Sequence, residues 1–229
     1  MSILLQTPEL IKMKHCEAEK LLGKHFIVGV TFDGGVVFAR HYNSRFHKKL
    51  HWFKIFGRAA VAFIGNPNDI GLVSNYVDAS ADNLADIIGE GVRFCYLTNH
   101  YIKNCIHSVL EDKFKSDISP FGIKAVVVQS ENRFAVINYS GQVKNFSKFV
   151  VAGGELAQGK EDAVKFLSGL NFFKGKKLPT LVEASNAIKN TLFNFDIEPE
   201  SKEYESIFIT KGEIKSKIFS KKSSKVPAK

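Results

Sequence analysis

"HFIVGVTFDGGVVFARHYNS", residues His25 to Ser44, contains two alternating apolar runs joined by Asp33-Gly34-Gly35. A period of two puts every second side chain on one face of a strand, and an Asp-Gly-Gly junction suits a tight turn. The stretch therefore predicts a hairpin with strands over Phe26–Phe32 and Gly35–Arg40. Which fold this hairpin belongs to depends on what flanks it.

On the N-terminal side, Thr7 to Leu22 read as a helix. Thr7 can accept hydrogen bonds from the first turn, Pro8 fits the first helical position, and Glu9 complements the positive end, while Gly23 can close the far end. On the C-terminal side, Gly57–Gly65 predicts a strand, with Trp52–Phe56 as a further candidate. Asn66-Pro67-Asn68-Asp69 then supplies a helix start, and helical spacing runs to Phe114 with a break expected near Asp78 to Asp82. Within that block Cys95, Tyr96, Asn99, Ile102, Ile106 and Leu110 follow the 3.6-residue period and are expected on the apolar face. After Ser119-Pro120-Phe121-Gly122 come two strands joined at Glu131-Asn132, a third in "SKFVVAGG", helices over Gly159–Leu170 and Leu181–Phe195, and a closing strand in "SIFITKGEIKSKIF". That last strand is read as turning back on itself around Lys211-Gly212.

Strands in two batches and helices in two batches point to an α+β fold. The expected form is a four-layer αββα sandwich, two antiparallel sheets face to face with helix pairs outside. A doubly wound parallel sheet would need strands and helices to alternate singly, and here they do not. Residues 1–210 are expected to form one domain, and 211–229 a basic tail that is partly disordered.

Composition narrows the class. The chain has 229 residues, 45% of them hydrophobic and 24% charged, which suits one globular core. No apolar run approaches the length of a membrane span, and the first residues lack the pattern of a secretory signal. Three cysteines without a C-x-x-C pair suit free thiols, and the expected compartment is the cytoplasm. The net charge of +9 is concentrated from Lys211 onward, where seven Lys meet one Glu. With no Arg there and no interleaved aromatics after Phe219, this reads as a solvated tail rather than a nucleic-acid site.

The segments "IVGVTFDGGVVFA", "KIFGRAAVAFIG" before a long helix, "SPFGIKAVVVQ", "NYSGQ" and "FVVAGG", in this order, resemble the proteasome subunit family. The likeness runs from about Thr7 to Thr210. The helix ahead of the first strand, with Pro120-Phe121-Gly122, is similar to α-type subunits of bacterial 20S particles. The resemblance implies an N-terminal-nucleophile hydrolase fold and self-association into a seven-membered ring. It also implies stacking on a proteolytic ring of β-type subunits and docking of an ATPase ring activator. Residues Ile3, Leu4, Leu5, Gln6, Thr7 and Pro8 would form the gate over the pore.

Active members of that family start the first strand with Thr, whose own amino group is the base. A carboxylate in the second strand and a lysine before the third complete their site. Aligned through Gly29 and Gly65, those three positions hold His25, His41 and His51. The resemblance therefore implies a subunit with no catalytic residue. Thr31 is a hydroxyl in the same strand, but freeing it as an N-terminus would delete most of that strand. An active hydrolase of this fold and a basic nucleic-acid-binding module stand as rival readings.

In α-type subunits a lysine before the third strand receives the C-terminal carboxylate of the activator. Here His51 holds that position, with Lys54 after it and Lys49 before it. Lys54 or Lys49 takes the role, or His51 does so when protonated, or the activator differs. A fixed ammonium suits a carboxylate through a charge-assisted hydrogen bond. His47/His51 and His100/His107 lack further ligands at metal-binding spacing, and no metal or cofactor is expected. Gly153-Gly154-Glu155 lies where a phosphate loop would, but without its motif it reads as a tight turn. Cys95 and Cys105 are read as buried thiols.

Overall fold

The computed structural model describes residues 22, 26–41, 53–56, 59–88, 94–115, 122–129, 133–154, 157–175, 177–196, 203–210 and 213–220. The expected helix over Thr7–Leu22 and the gate residues 3–8 lie outside these, Leu22 excepted.

Among the described residues, ten strands form two antiparallel sheets. The first contains β1 (Phe26–Phe32), β2 (Gly35–His41), β8 (Phe149–Gly153), β9 (Glu203–Thr210) and β10 (Ile214–Ser220), in the order β10-β9-β2-β1-β8. The second contains β3 (Phe53–Phe56), β4 (Ala59–Gly65), β5 (Ile123–Gln129), β6 (Arg133–Asn138) and β7 (Val143–Phe146), in chain order. Helices separate the batches: α1 (Pro67–Ile88), α2 (Phe94–Tyr96), a π-helical run Leu97–Ile102, α3 (Lys103–Lys115), α4 (Lys160–Gly169), α5 (Asn171–Lys174) and α6 (Leu181–Phe195). The fold is α+β, as the grouping of strands and helices predicts.

Period-two alternation sorts the side chains into three cores. Ile27, Val36, Phe38, Ala60, Ala62, Val126, Val128, Phe134 and Ile207 come from both sheets and form one cluster. The alternate residues of β4 and β5, including Val61, Phe63, Ala125 and Val127, pack with Val73, Val77, Leu97, Ile102 and Ile106 of the first helix batch. On the first sheet, Val28, Val30, Val37 and Ala39 pack with Ala163, Leu167, Ala184, Ile188 and Leu192 of the second batch. Each strand of these pairs thus buries both faces, which explains why β1 is apolar almost throughout.

Local chemistry sets the boundaries. Asn66 accepts at 2.9 Å from the Asn68 N–H through its side chain, and its carbonyl accepts from Ile70, so α1 starts at Pro67. Buried Asp69, in the first turn, accepts from the Gly122 N–H at 3.1 Å and ties α1 to the start of β5. Gly65 has φ 148°, and a Cβ there would lie 2.2 Å from the Gly122 carbonyl, so only glycine fits between β4 and α1. Thr180 and Glu183 close a capping box at the start of α6.

Several expectations are corrected. Helix α1 runs through Asp78 to Asp82 without a break, because Ala79, Ser80, Ala81 and Asp82 include no residue that forbids helix. Cys95 is exposed and so are Tyr96 and Asn99, while Phe94, Leu97, Thr98 and Tyr101 face the core. The buried stripe through Phe94, Thr98, Ile102 and Ile106 advances four residues at a time, the longer step that a π turn accommodates. Cys105 is buried. The closing segment forms the hairpin expected there, with β10 paired to β9 and running to Ser220. Strand β7 and the short helix α5 were not foreseen, since neither has enough residues to display a period.

Candidate functional site

The family resemblance directs attention to the end of the sheets where β1 begins. One row of cross-strand partners there crosses the first sheet: Ala152 on β8, Ile27 on β1, Arg40 on β2, Glu205 on β9 and Ile218 on β10. Ile27 and Ala152 belong to the core between the sheets. Arg40 shares the side of β2 that carries Val36 and Phe38, and Glu205 shares that of Ile207 and Ile209. The sequence thus places an opposite-charge pair on the face turned to the second sheet, one step inward from the start of β1. Burial lowers the Arg40 guanidinium and Glu205 offsets part of that, leaving it at about 9, so the group remains a cation at neutral pH.

The β8 end carries a second polar group. Lys124 of β5 donates to the Gly153 carbonyl at 3.1 Å, and Lys160 donates to the Gly153 and Gly154 carbonyls at 3.4 Å each. The Gly153-Gly154 turn therefore presents carbonyl oxygens to cations. A phosphate loop would present N–H groups to an anion, the opposite polarity. The Gly154 carbonyl also accepts from Ala157 at 3.3 Å, which closes the turn expected there.

The residues singled out from sequence fall as follows. Thr31 lies inside β1, fully buried, and its hydroxyl and N–H both donate to the Lys148 carbonyl at 2.9 Å. It stands on the face toward the second sheet, far from the start of the strand. His41 is the last residue of β2, in register with Tyr204. Lys54 lies on β3, the edge strand of the second sheet, in register with Val61, and its neighbour Ile55 is half exposed. His25, Lys49 and His51 lie outside the described residues, so of the three docking candidates only Lys54 is placed, by its strand. His107 is exposed and paired with Glu111 at 3.1 Å, and His100 stacks near Tyr96. Among the described residues no group of three or more His, Cys, Asp or Glu gathers as metal ligands.

Sequence reading overlooked Arg40, Glu205, Lys124 and Lys160. The signal for Arg40 was a charge at an inward position of an otherwise apolar alternation. Its partner Glu205 is distant in the chain and could be found only from the strand order. No helix among the described residues is long and apolar enough to cross a membrane. No protein-family model matches the chain, and no curated protein matches it.

Proposed function

We propose that this chain is a non-catalytic α-type subunit of a bacterial 20S proteasome, folded as a four-layer αββα sandwich of the N-terminal-nucleophile type. It works by assembly. Copies form a seven-membered ring that caps a β-type proteolytic ring in the cytoplasm, restricts entry through the segment around Ile3–Pro8, and docks an ATPase ring. The observation that carries this reading is the series of three apolar cores, helix to sheet, sheet to sheet, and sheet to helix. A charged row of Arg40 and Glu205 at the end where active relatives hold their nucleophile supports a structural role for that end. Thr31, enclosed and bonded to a main-chain carbonyl, is poorly placed for attack on a peptide. The edge position of Lys54 suits a contact at a subunit rim.

Native mass spectrometry of the chain alone, and mixed with a β-type subunit from the same genome, tests the proposal. A ring of the chain, or a mixed particle of stacked rings, is the expected result. A lone monomer in both samples would overturn the assembly claim.

A further inference from the structure

Helix α6 packs on β1 and β2, and beyond it lies the helix-facing side of β9. A cavity of about 120 Å³ opens along this border. Its apolar surface comes from Ile188 and Leu192 of α6 together with the rings of Phe193 and Tyr204. The two rings meet edge to face, with centroids 4.6 Å apart. The Tyr204 hydroxyl donates to the Leu192 carbonyl at 3.1 Å, which anchors that ring against the helix. Ser185, Asn186 and Ser206 add small polar groups to the lining. Lys189 supplies its cation, with Nζ 5.8 Å from the centroid of the Phe193 ring. Among the described residues no acidic side chain lines the space; Asp196, buried, acts on Tyr204 without belonging to the lining.

We propose that this cavity binds a small carboxylate bearing one apolar group, either a single ring or a branched aliphatic chain. The volume sets a ceiling: an apolar cavity of about 150 Å³ holds a benzene ring, so this smaller space takes at most one such group. The lining sets the chemistry, since an ammonium beside an apolar floor complements an anion carried on an apolar body. The site lies on the helix side of the first sheet, the face opposite Arg40 and Glu205, and does not depend on the proposed assembly.

The full chain titrated with 3-phenylpropanoate, and separately with its neutral amide, tests the site by two-dimensional NMR. Saturable shifts are expected over residues 185–193 and 204–206. Lys189→Gln should weaken the carboxylate roughly tenfold, the scale of losing one hydrogen bond to a charged group, and leave the amide unchanged. Ser185→Phe, a rim change outside the buried core, should block both ligands. Lys165→Gln, at an exposed position of α4, removes a charge elsewhere and should have no effect. Shifts that never saturate, equal weakening by Lys165→Gln and Lys189→Gln, or wild-type binding in Ser185→Phe would each overturn the proposal.

Discussion

Arg40 on β2 and Glu205 on β9 stand directly opposite each other on the face of their sheet turned toward the second sheet. Opposite charges at a directly paired position favour each other, and their setting beside apolar core strengthens the effect. Removing one partner leaves the other poorly solvated. Both keep part of their surface in water, so Glu205→Gln should cost about 1–3 kcal/mol, below the loss for a fully enclosed pair. Adding Arg40→Met should recover much of that loss. Denaturant unfolding of the two single variants and the double variant reads this directly, and strictly additive losses would show that the two residues do not interact.

The sheets approach closely at Gly29. A Cβ there would lie 2.6 Å from Phe134 Cε1 and 2.9 Å from Val150 Cγ1. Gly29→Ala should destabilise the fold by about 1–3 kcal/mol, the usual range for overpacking a tight core. Phe134→Leu in the same chain should relieve part of the clash, so the double variant should lose less than the sum of the singles. A shift in unfolding midpoint by calorimetry decides it.

At the start of α6, the Thr180 N–H and hydroxyl donate to Glu183 at 2.7 and 2.8 Å. These bonds, the main-chain one first, hold the Glu183 carboxyl below its usual range. A group with a depressed folded pKa contributes stability above its unfolded value and loses it as pH falls through the folded one. Glu183→Gln should therefore be less stable than wild type at neutral pH, with the gap closing as pH drops below the ordinary carboxylate range. A gap that persists at the acid end of the titration would assign the effect to helix propensity instead. Thr180→Ala should cost about 1 kcal/mol at neutral pH.

Thr31 offers a discriminating test of chemistry. Its hydroxyl bond to Lys148 is one of two donated to the same carbonyl, so Thr31→Val leaves that acceptor satisfied by the N–H. The expected cost is about 1 kcal/mol of stability, with peptide hydrolysis by the assembled particle unchanged. Loss of hydrolysis in a correctly folded variant would count against the non-catalytic reading of this strand.

The proposed gating and docking roles separate by variant. Deleting residues 3–6 should raise peptide hydrolysis by the assembled particle while leaving its mass intact apart from the deletion. Lys54→Gln, Lys49→Gln and His51→Gln should rank the three docking candidates by loss of activator stimulation, each assayed with an unstimulated control. Binding to His51 alone would weaken as pH rises through the histidine range, since only the imidazolium donates a charge-assisted bond. Equal stimulation in all three variants would remove this cluster from the docking surface.

The amino-acid sequence by itself determined the local elements. Alternation over His25–Ser44, the Asn66-Pro67 start and the Thr180/Glu183 box each act within one turn or one strand pair, so their physics is complete within a few residues. The same locality made β7, α5 and the phase of the stripe around Cys95 hard to read, because short or irregular pieces carry no full period. Tertiary structure decided what depends on contact across the chain. Glu205 opposes Arg40 only because β9 pairs with β2, and Gly29 is constrained by Phe134 from the other sheet and Val150 from β8, both distant in the chain. The lining of the cavity at Lys189 likewise joins α6 to β9, whose residues come together because the helix runs along the sheet that β9 extends. Pairing of distant strands is a property of the whole buried surface, and no window of the chain contains it.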